Sequence, residues 1–325
     1  MQISSLQETP GSRLSRGYLI CLSATVLWSL TGILIRYLTE EFHIPPLVLA
    51  FWRDLIVALT MAAALFFLAP KRLRIQRRHF KFLFAYGFVL SVFNSLWTVS
   101  VDLNGAAVST VLAYSSAAFT AILGWWLLKE GLGWVKIVAV VLSLLGCLLV
   151  SGAYDLTLWQ LNPVGIIAGL LSGLAFAAYN LFGRTSANRG IYPWTALLHT
   201  FLIATLFILG YNFMAGWLPA GAALAAPGLA SSRLLWQESS LAGWAILAFL
   251  AVGPTIGGFG LYTVSLSYLP ASVASIIATL EPVMTTTLAF FLLGERLTPP
   301  QWAGSLLIIS GVILLRLRGE SGSSG

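Results

Sequence analysis

The sequence predicts an all-α polytopic membrane protein: ten transmembrane helices forming two inverted five-helix repeats, with both termini cytoplasmic. Three observations carry that expectation: the composition, the apolar segments and an internal repeat. Of the 325 residues, 58% are hydrophobic and only 9% charged, against about 25% charged in a soluble globular protein. A mean hydropathy of +0.88 over this length exceeds what one soluble core can bury. The net charge of +7 would suggest nucleic acid in a soluble domain. Here the cations fall between apolar segments and read as topology signals, so no nucleic-acid partner is expected. Cys21 and Cys147 lie inside apolar runs and read as small buried hydrophobes, not a disulfide framework.

A membrane-crossing helix needs about 20 apolar residues. Ten segments qualify: 17–37, 46–69, 80–102, 105–128, 132–152, 162–183, 193–216, 241–264, 268–293 and 297–316. Residues 1–16 form a polar cytoplasmic segment. The first apolar run is too long for a signal-peptide core and reads as a retained span. Proline or glycine marks many boundaries, as at Pro45-Pro46, Gly105, Pro163, Pro193 and Pro299-Pro300. The longer 217–240 connection leaves room for a short surface helix. The low-complexity tail, 319–325, reads as a flexible expression remnant.

Placing both termini inside sends fourteen cations to the cytoplasmic loops, concentrated in "KRLRIQRRHFK" (71–81), and three (Arg36, Arg233, Arg296) outside. That is a strong positive-inside bias. Sliding the chain by 165 residues superposes "LWTVSV" (96–101) on "LYTVSL" (261–266), Glu130 on Glu295 and Gly146 on Gly311. At an offset of 148, Gly17 meets Gly165 and Arg36 meets Arg184. The chain therefore divides into halves at 17–152 and 162–316. Five helices per half is odd, so the second half enters the membrane from the opposite side. Inverted repeats are an architecture of alternating-access transporters, with the solute near the midplane between halves.

The C-terminal third resembles a known family. The carrying residues are Glu281-Pro282, "LLGERLTPPQWAG" (292–304) and "IISGVILL" (308–315), with "FWRDLIVAL" (51–59) in the second span. These are similar to EamA-type proteins of the drug/metabolite transporter superfamily, and the likeness covers nearly the whole chain. It implies ten helices in a five-plus-five inverted repeat that moves small organic solutes, commonly outward, across the cell's inner membrane.

Intramembrane ionisable groups are functional candidates, because a charge at the bilayer centre costs roughly 2.5–3.5 kcal/mol on insertion scales. Glu281 lies midway along span 9. Pro282 beside it removes the helical donor for the Ala278 carbonyl, so this helix is expected to bend. Glu281 reads either as a proton or substrate-amine carrier, or as a neutral acid bonding a freed carbonyl. Its counterpart in the first half, "AYSSAA" (113–118), lacks both residues. Arg53 could snorkel, pair with Glu281 or Glu40, or attract a carboxylate. Being adjacent, Arg53 and Asp54 point about 100° apart and are not expected to pair simply face to face; Asp54 is expected to cap or pair locally. His199 reads as a proton carrier or as an interhelical hydrogen-bonding group; Trp52, opposite it in the repeat, is a candidate for solute contact. Asn94 and Asn180 are candidates for interhelical bonds or solute contact. Trp28, Trp97, Tyr114, Tyr179 and Tyr262 are candidates for the walls of a central cavity, with ordinary packing as the alternative. Pro254, Gly257 and Pro282 are candidate hinges. Gly165, Gly169 and Gly173 recur every four residues and predict a smooth packing face.

The expected function is a secondary transporter that exports a small metabolite, such as an amino acid. A polyspecific drug/proton antiporter and an intramembrane enzyme are the alternatives. No Walker A, His-Glu-x-x-His or Gly-x-Ser-x-Gly motif is present, so ATP-driven transport and enzymatic activity are not expected. With only three histidines, neither metal nor cofactor is expected. Both halves lie in one chain, so a monomer suffices.

Overall fold

The computed structural model describes residues 10–155, 162–215, 240–293 and 297–321. Every regular element among them is helical: α1 (Pro10–Glu41), α2 (Pro46–Leu68), α3 (Arg77–Tyr114), α4 (Ser116–Leu128), α5 (Trp134–Val150), α6 (Pro163–Asn188), α7 (Pro193–Ala215), α8 (Leu241–Leu250), α9 (Ile256–Ser265), α10 (Ala271–Ala278), α11 (Glu281–Leu293) and α12 (Pro299–Ser321). A short 3₁₀ turn, Pro70–Arg72, follows α2. Among the described residues, nine helical stretches are long and apolar enough to cross a membrane, and the shorter Trp134–Val150 makes a tenth apolar helix. They occupy the ten expected segments. The expected surface helix in 217–240, Glu295, Trp217, Arg233 and Arg296 lie outside the described residues.

Boundaries differ in several places. α1 starts at Pro10, so part of the expected polar segment is helical. α12 runs to Ser321, three residues into the expected tail. Helical bonding continues through 103–104, where a connection between spans was expected. The chain nevertheless reverses there. Ser100 Oγ donates to Ser109 Oγ at 2.8 Å, whereas nine residues of straight helix would separate them by about 13.5 Å.

Glycine permits this folding to be tight. A Cβ at Gly165 would collide with Leu103 and Asn104, at Gly169 with Ser100 and Leu112, and at Gly173 with Ser115 and the Leu112 carbonyl. The expected smooth face of α6 is thus pressed along the α3 reversal and its continuation into α4. α5 and α12 meet at Gly146 and Gly304, where a Cβ on either would reach the other's backbone oxygen at 2.6 Å.

Connections expected on the cytoplasmic side gather at one end. Arg184 Nη1 donates to the Leu266 carbonyl at 2.7 Å. Thr195 Oγ1 donates to the Arg72 carbonyl at 2.6 Å, and Gly17 packs on Tyr268 and Leu269.

Candidate functional site

Two apolar stretches of the core are interrupted, between α3 and α4 and between α10 and α11, and the interruptions meet. Tyr114, the last residue of α3, donates its hydroxyl to Glu281 Oε2, at the start of α11, over 2.6 Å. The local cause is the same in each. Ser115 turns both its N–H (3.2 Å) and its hydroxyl (2.5 Å) onto the Leu112 carbonyl. Thr279 does likewise to the Ile276 carbonyl, at 3.2 and 2.6 Å. A short hydroxyl competing for the carbonyl three residues back tightens the last turn and ends the helix. Pro282 then falls in the first turn of α11, where its missing N–H costs little. Of these two spans the sequence marked only span 9 for a break; span 4 breaks as well, without a proline.

Past the second break, Thr285, Thr286 and Thr287 donate to the carbonyls of Glu281, Pro282 and Val283, four residues back, at 3.0, 3.0 and 2.7 Å. Such back-bonding bends helices. Cys147 Sγ lies 3.9 Å from the Thr279 carbonyl. The two cysteines are free and buried, as expected.

Beside this joint lies a buried polar knot. Asn180 on α6 donates to Thr120 Oγ1 on α4 and to Ser275 Oγ on α10, each at 3.2 Å, and accepts from Tyr262 OH at 3.0 Å. Both ends of the amide are satisfied, as burial requires. Aromatic rings pack around it. Trp28 lies 4.8 Å from Tyr262, 4.9 Å from Phe259 and 6.2 Å from Phe176, and Tyr179 lies 4.8 Å from Tyr86, between ring centroids.

α8 and α9 are joined by a π-helical turn, Ala251–Thr255, containing Pro254. Proline deprives the Leu250 carbonyl of its helical donor; Thr255 Oγ1 supplies one at 2.8 Å. Gly257, the other candidate hinge here, packs against Leu27 of α1.

At the end where the basic connections gather, Glu130 reaches across to α10. Its carboxylate accepts from the N–H of Ala271 at 2.7 Å, the N–H of Ser272 at 3.2 Å and the Ser272 hydroxyl, with Lys136 Nζ at 3.9 Å. A carboxylate on the free N–H groups of a helix start is a stabilising cap.

The family model described as "EamA-like transporter family" matches this sequence twice, over residues 15–152 and 163–317. The chain belongs to that family. An "Uncharacterized inner membrane transporter YicL" of Salmonella typhimurium is 27% identical over 310 residues, 93% of this chain and 95% of its own. A "Probable amino-acid metabolite efflux pump" of the same organism is 26% identical over 306 residues, 91% and 93% of the two chains. A solved crystal structure matches with a TM-score of 0.74 at 17% identity, over 94% of this chain and 98% of that one, a likeness of fold. This EamA-family chain is accordingly a multi-pass membrane transporter.

In this EamA-family fold, the candidate residues separate into three groups. Trp28, Tyr114, Tyr179, Asn180, Tyr262 and Glu281 converge on the joint and its aromatic surround. Arg53 and Asn94 belong to a second cluster centred on Asp54. Asn94 Nδ2 donates to Asp54 Oδ2 at 2.9 Å, and Arg53 Nε and Nη2 approach Asp54 Oδ1 at 3.0 and 2.9 Å. The expected local pairing of Asp54 is found, and the 100° between neighbours is no bar to it: Arg53's long stem folds its guanidinium back across the angle. Arg53 does not pair with Glu281, whose hydroxyl partner is Tyr114. Trp52, Trp97 and His199 are the remaining candidates. Trp52 stacks edge-on to Trp244 at 5.0 Å. Trp97 is half-buried and makes no ring contact among the described residues. His199 Nδ1 lies 2.8 Å from the Thr195 carbonyl of its own helix, not a neighbouring one.

The sequence reading missed Phe176, Phe259, Thr120 and Ser275. One signal was available: the 148-residue offset sets Phe176 on Trp28, and those two rings touch. At the 165-residue offset Thr120 also falls on Thr285 and Ser275 on Thr110, but hydroxyls in apolar helices are commonplace.

Proposed function

We propose that this chain is a secondary transporter of the bacterial inner membrane that exports a small organic metabolite, an amino acid or similar solute. It works by alternating access between an N-terminal half (17–152) and a C-terminal half (162–316) of inverted topology, with both termini cytoplasmic and one chain sufficient. The observation that carries the reading is the Tyr114–Glu281 hydrogen bond joining two helix breaks, one from each half, near mid-helix. A broken helix at membrane depth is tolerated where it is packed against protein or lines a cavity, and paired breaks give each half an element that can bend. A relative named as a probable amino-acid metabolite efflux pump supports the solute class.

In this mechanism Glu130 acts as the latch at the cytoplasmic end. While it holds the start of α10, the two halves are shut there; releasing it lets α10 pivot about Thr279–Leu280. Trp28 Nε1 is buried and has no acceptor among the described residues. In the same mechanism it donates to a carboxylate or carbonyl of the solute when the surrounding rings part. Arg53, with Asp54 and Asn94, holds α2 against α3 and stays outside the solute path.

The test is uptake and exchange by purified protein in liposomes, without ATP, across an amino-acid and metabolite panel. Saturable movement of one class, reduced at least tenfold in Glu281→Ala, is expected. Absence of movement for the whole panel defeats the proposal. A second reading, proton-coupled antiport of bulkier apolar drugs, draws on the carboxyl set in an aromatic surround. It expects drug flux that needs a proton gradient in the wild type and loses that need in Glu281→Gln.

A further inference from the structure

The end of the molecule where the basic connections gather carries a groove that the transport reading leaves unused. It encloses about 220 Å³ between the connections after α2 and after α6, and is lined by Lys71, Arg72, Arg74, Arg78 and Arg189 among others. A second depression of about 370 Å³ shares Arg78, His79 and Arg189 with it. Positive-inside bias explains cations on one side of a membrane. It does not explain why two connections more than a hundred residues apart bring theirs to one depression.

Nor does it explain how they are held. The Arg72 guanidinium lies over the Tyr192 ring at 3.7 Å, and Arg189 lies over Phe82 at 4.2 Å. Stacking fixes the flat face of a guanidinium and leaves its N–H edge free for an oxyanion. The Thr195 hydroxyl, bonded to the Arg72 carbonyl at 2.6 Å, ties the first connection to α7. Residues 55–101 and 156–237 contain no Asp or Glu, so neither segment supplies a carboxylate to neutralise the groove.

The surroundings indicate where the anion comes from. Phe66, Phe67 and Leu68 end α2 with exposed side chains just before Lys71, and Phe80 and Phe84 are exposed in the first turns of α3. An apolar shoulder beside a cationic groove at a helix end matches a molecule with an anionic head and hydrocarbon tails.

We propose that this groove binds the phosphate headgroup of an anionic phospholipid from the adjoining leaflet. Two stacked guanidiniums take the phosphate oxygens bidentately, and the acyl chains lie over the aromatic shoulder.

Thermal unfolding of detergent-purified protein tests this with three additions: phosphatidylglycerol, phosphatidylcholine and inorganic phosphate. Phosphatidylglycerol is expected to stabilise the wild type more than phosphatidylcholine does. Arg72→Gln with Arg189→Gln should weaken its apparent affinity roughly 25-fold, about fivefold per cation removed. Arg13→Gln, elsewhere at the N-terminus, should retain it. The proposal is overturned by equal stabilisation with phosphatidylcholine, by full retention in the double variant, or by equal loss in Arg13→Gln. Inorganic phosphate stabilising as well at matched concentration overturns the lipid source. If the double variant does not fold, a sodium chloride titration of the wild type decides. The advantage of phosphatidylglycerol should shrink as salt rises, and an advantage indifferent to salt rejects the groove.

Discussion

The break between α3 and α4 and the break between α10 and α11 reach the same geometry by different chemistry. The first has only a serine, Ser115, whose hydroxyl and N–H take the Leu112 carbonyl. The second has Thr279 doing the same to Ile276, followed by Glu281, Pro282 and three back-bonded threonines. Ser115 and Thr279 stand within one residue of the 165-residue repeat offset. The shared element is therefore the hydroxyl. The proline and the carboxylate are additions to one side. A helix break at membrane depth does not need proline when a short hydroxyl competes for the carbonyl and a close-packed neighbour, here Gly173 of α6, protects the turn.

The largest expected effect tests whether the added carboxylate matters to transport. Glu281→Gln keeps the shape and an acceptor for Tyr114 but removes the acid. Liposome transport should fall at least tenfold, equivalent to about 1.4 kcal/mol on the barrier, with little change in thermal stability. Unchanged flux would reduce Glu281 to a packing residue.

Next comes the asymmetry itself. Ser115→Ala removes the one device at the first break, while Thr279→Val leaves Pro282 in place at the second. Ser115→Ala should straighten α3 into α4, read by spin-label distances across the break, and slow transport several-fold, while adding up to about 0.5 kcal/mol of helix propensity. Thr279→Val should do less on both measures. Equal effects would show that the proline contributes nothing to holding the break open.

Tyr114→Phe cuts the link between the breaks and leaves a part-buried carboxyl without its donor. Denaturation should register a loss of about 1–3 kcal/mol, and Glu281→Leu in the same background should recover part of it. Independent, additive losses would deny that the pair acts as a unit.

The last expected effect is at Glu130, where only stability and not the joint itself is read. Glu130→Ala strips the cap from α10 and should cost about 0.5–2 kcal/mol, seen as a lower melting temperature. Glu130→Gln should lose less, because an amide oxygen still accepts from the Ala271 N–H.

Several features were legible from residue order alone. Composition and segment length determined a membrane protein with ten apolar helices, because every backbone polar group in lipid must be satisfied within its own helix. The spacing of Gly165, Gly169 and Gly173 fixed the close-packing face of α6, since a Cβ is excluded there whatever the partner. Glu281-Pro282 marked one break because proline acts locally. Only the tertiary structure decided the rest. That Tyr114 and not Arg53 meets Glu281, that Arg53 folds back onto Asp54, and that Glu130 caps a helix 141 residues away are outcomes of helix docking. A hydrogen bond depends on two side chains arriving within about 3 Å, and no local pattern encodes which distant helix will supply the second. The serine break was hidden for a related reason. Ser115 is one hydroxyl among many, and it ends a helix only where its neighbours leave that turn free to tighten.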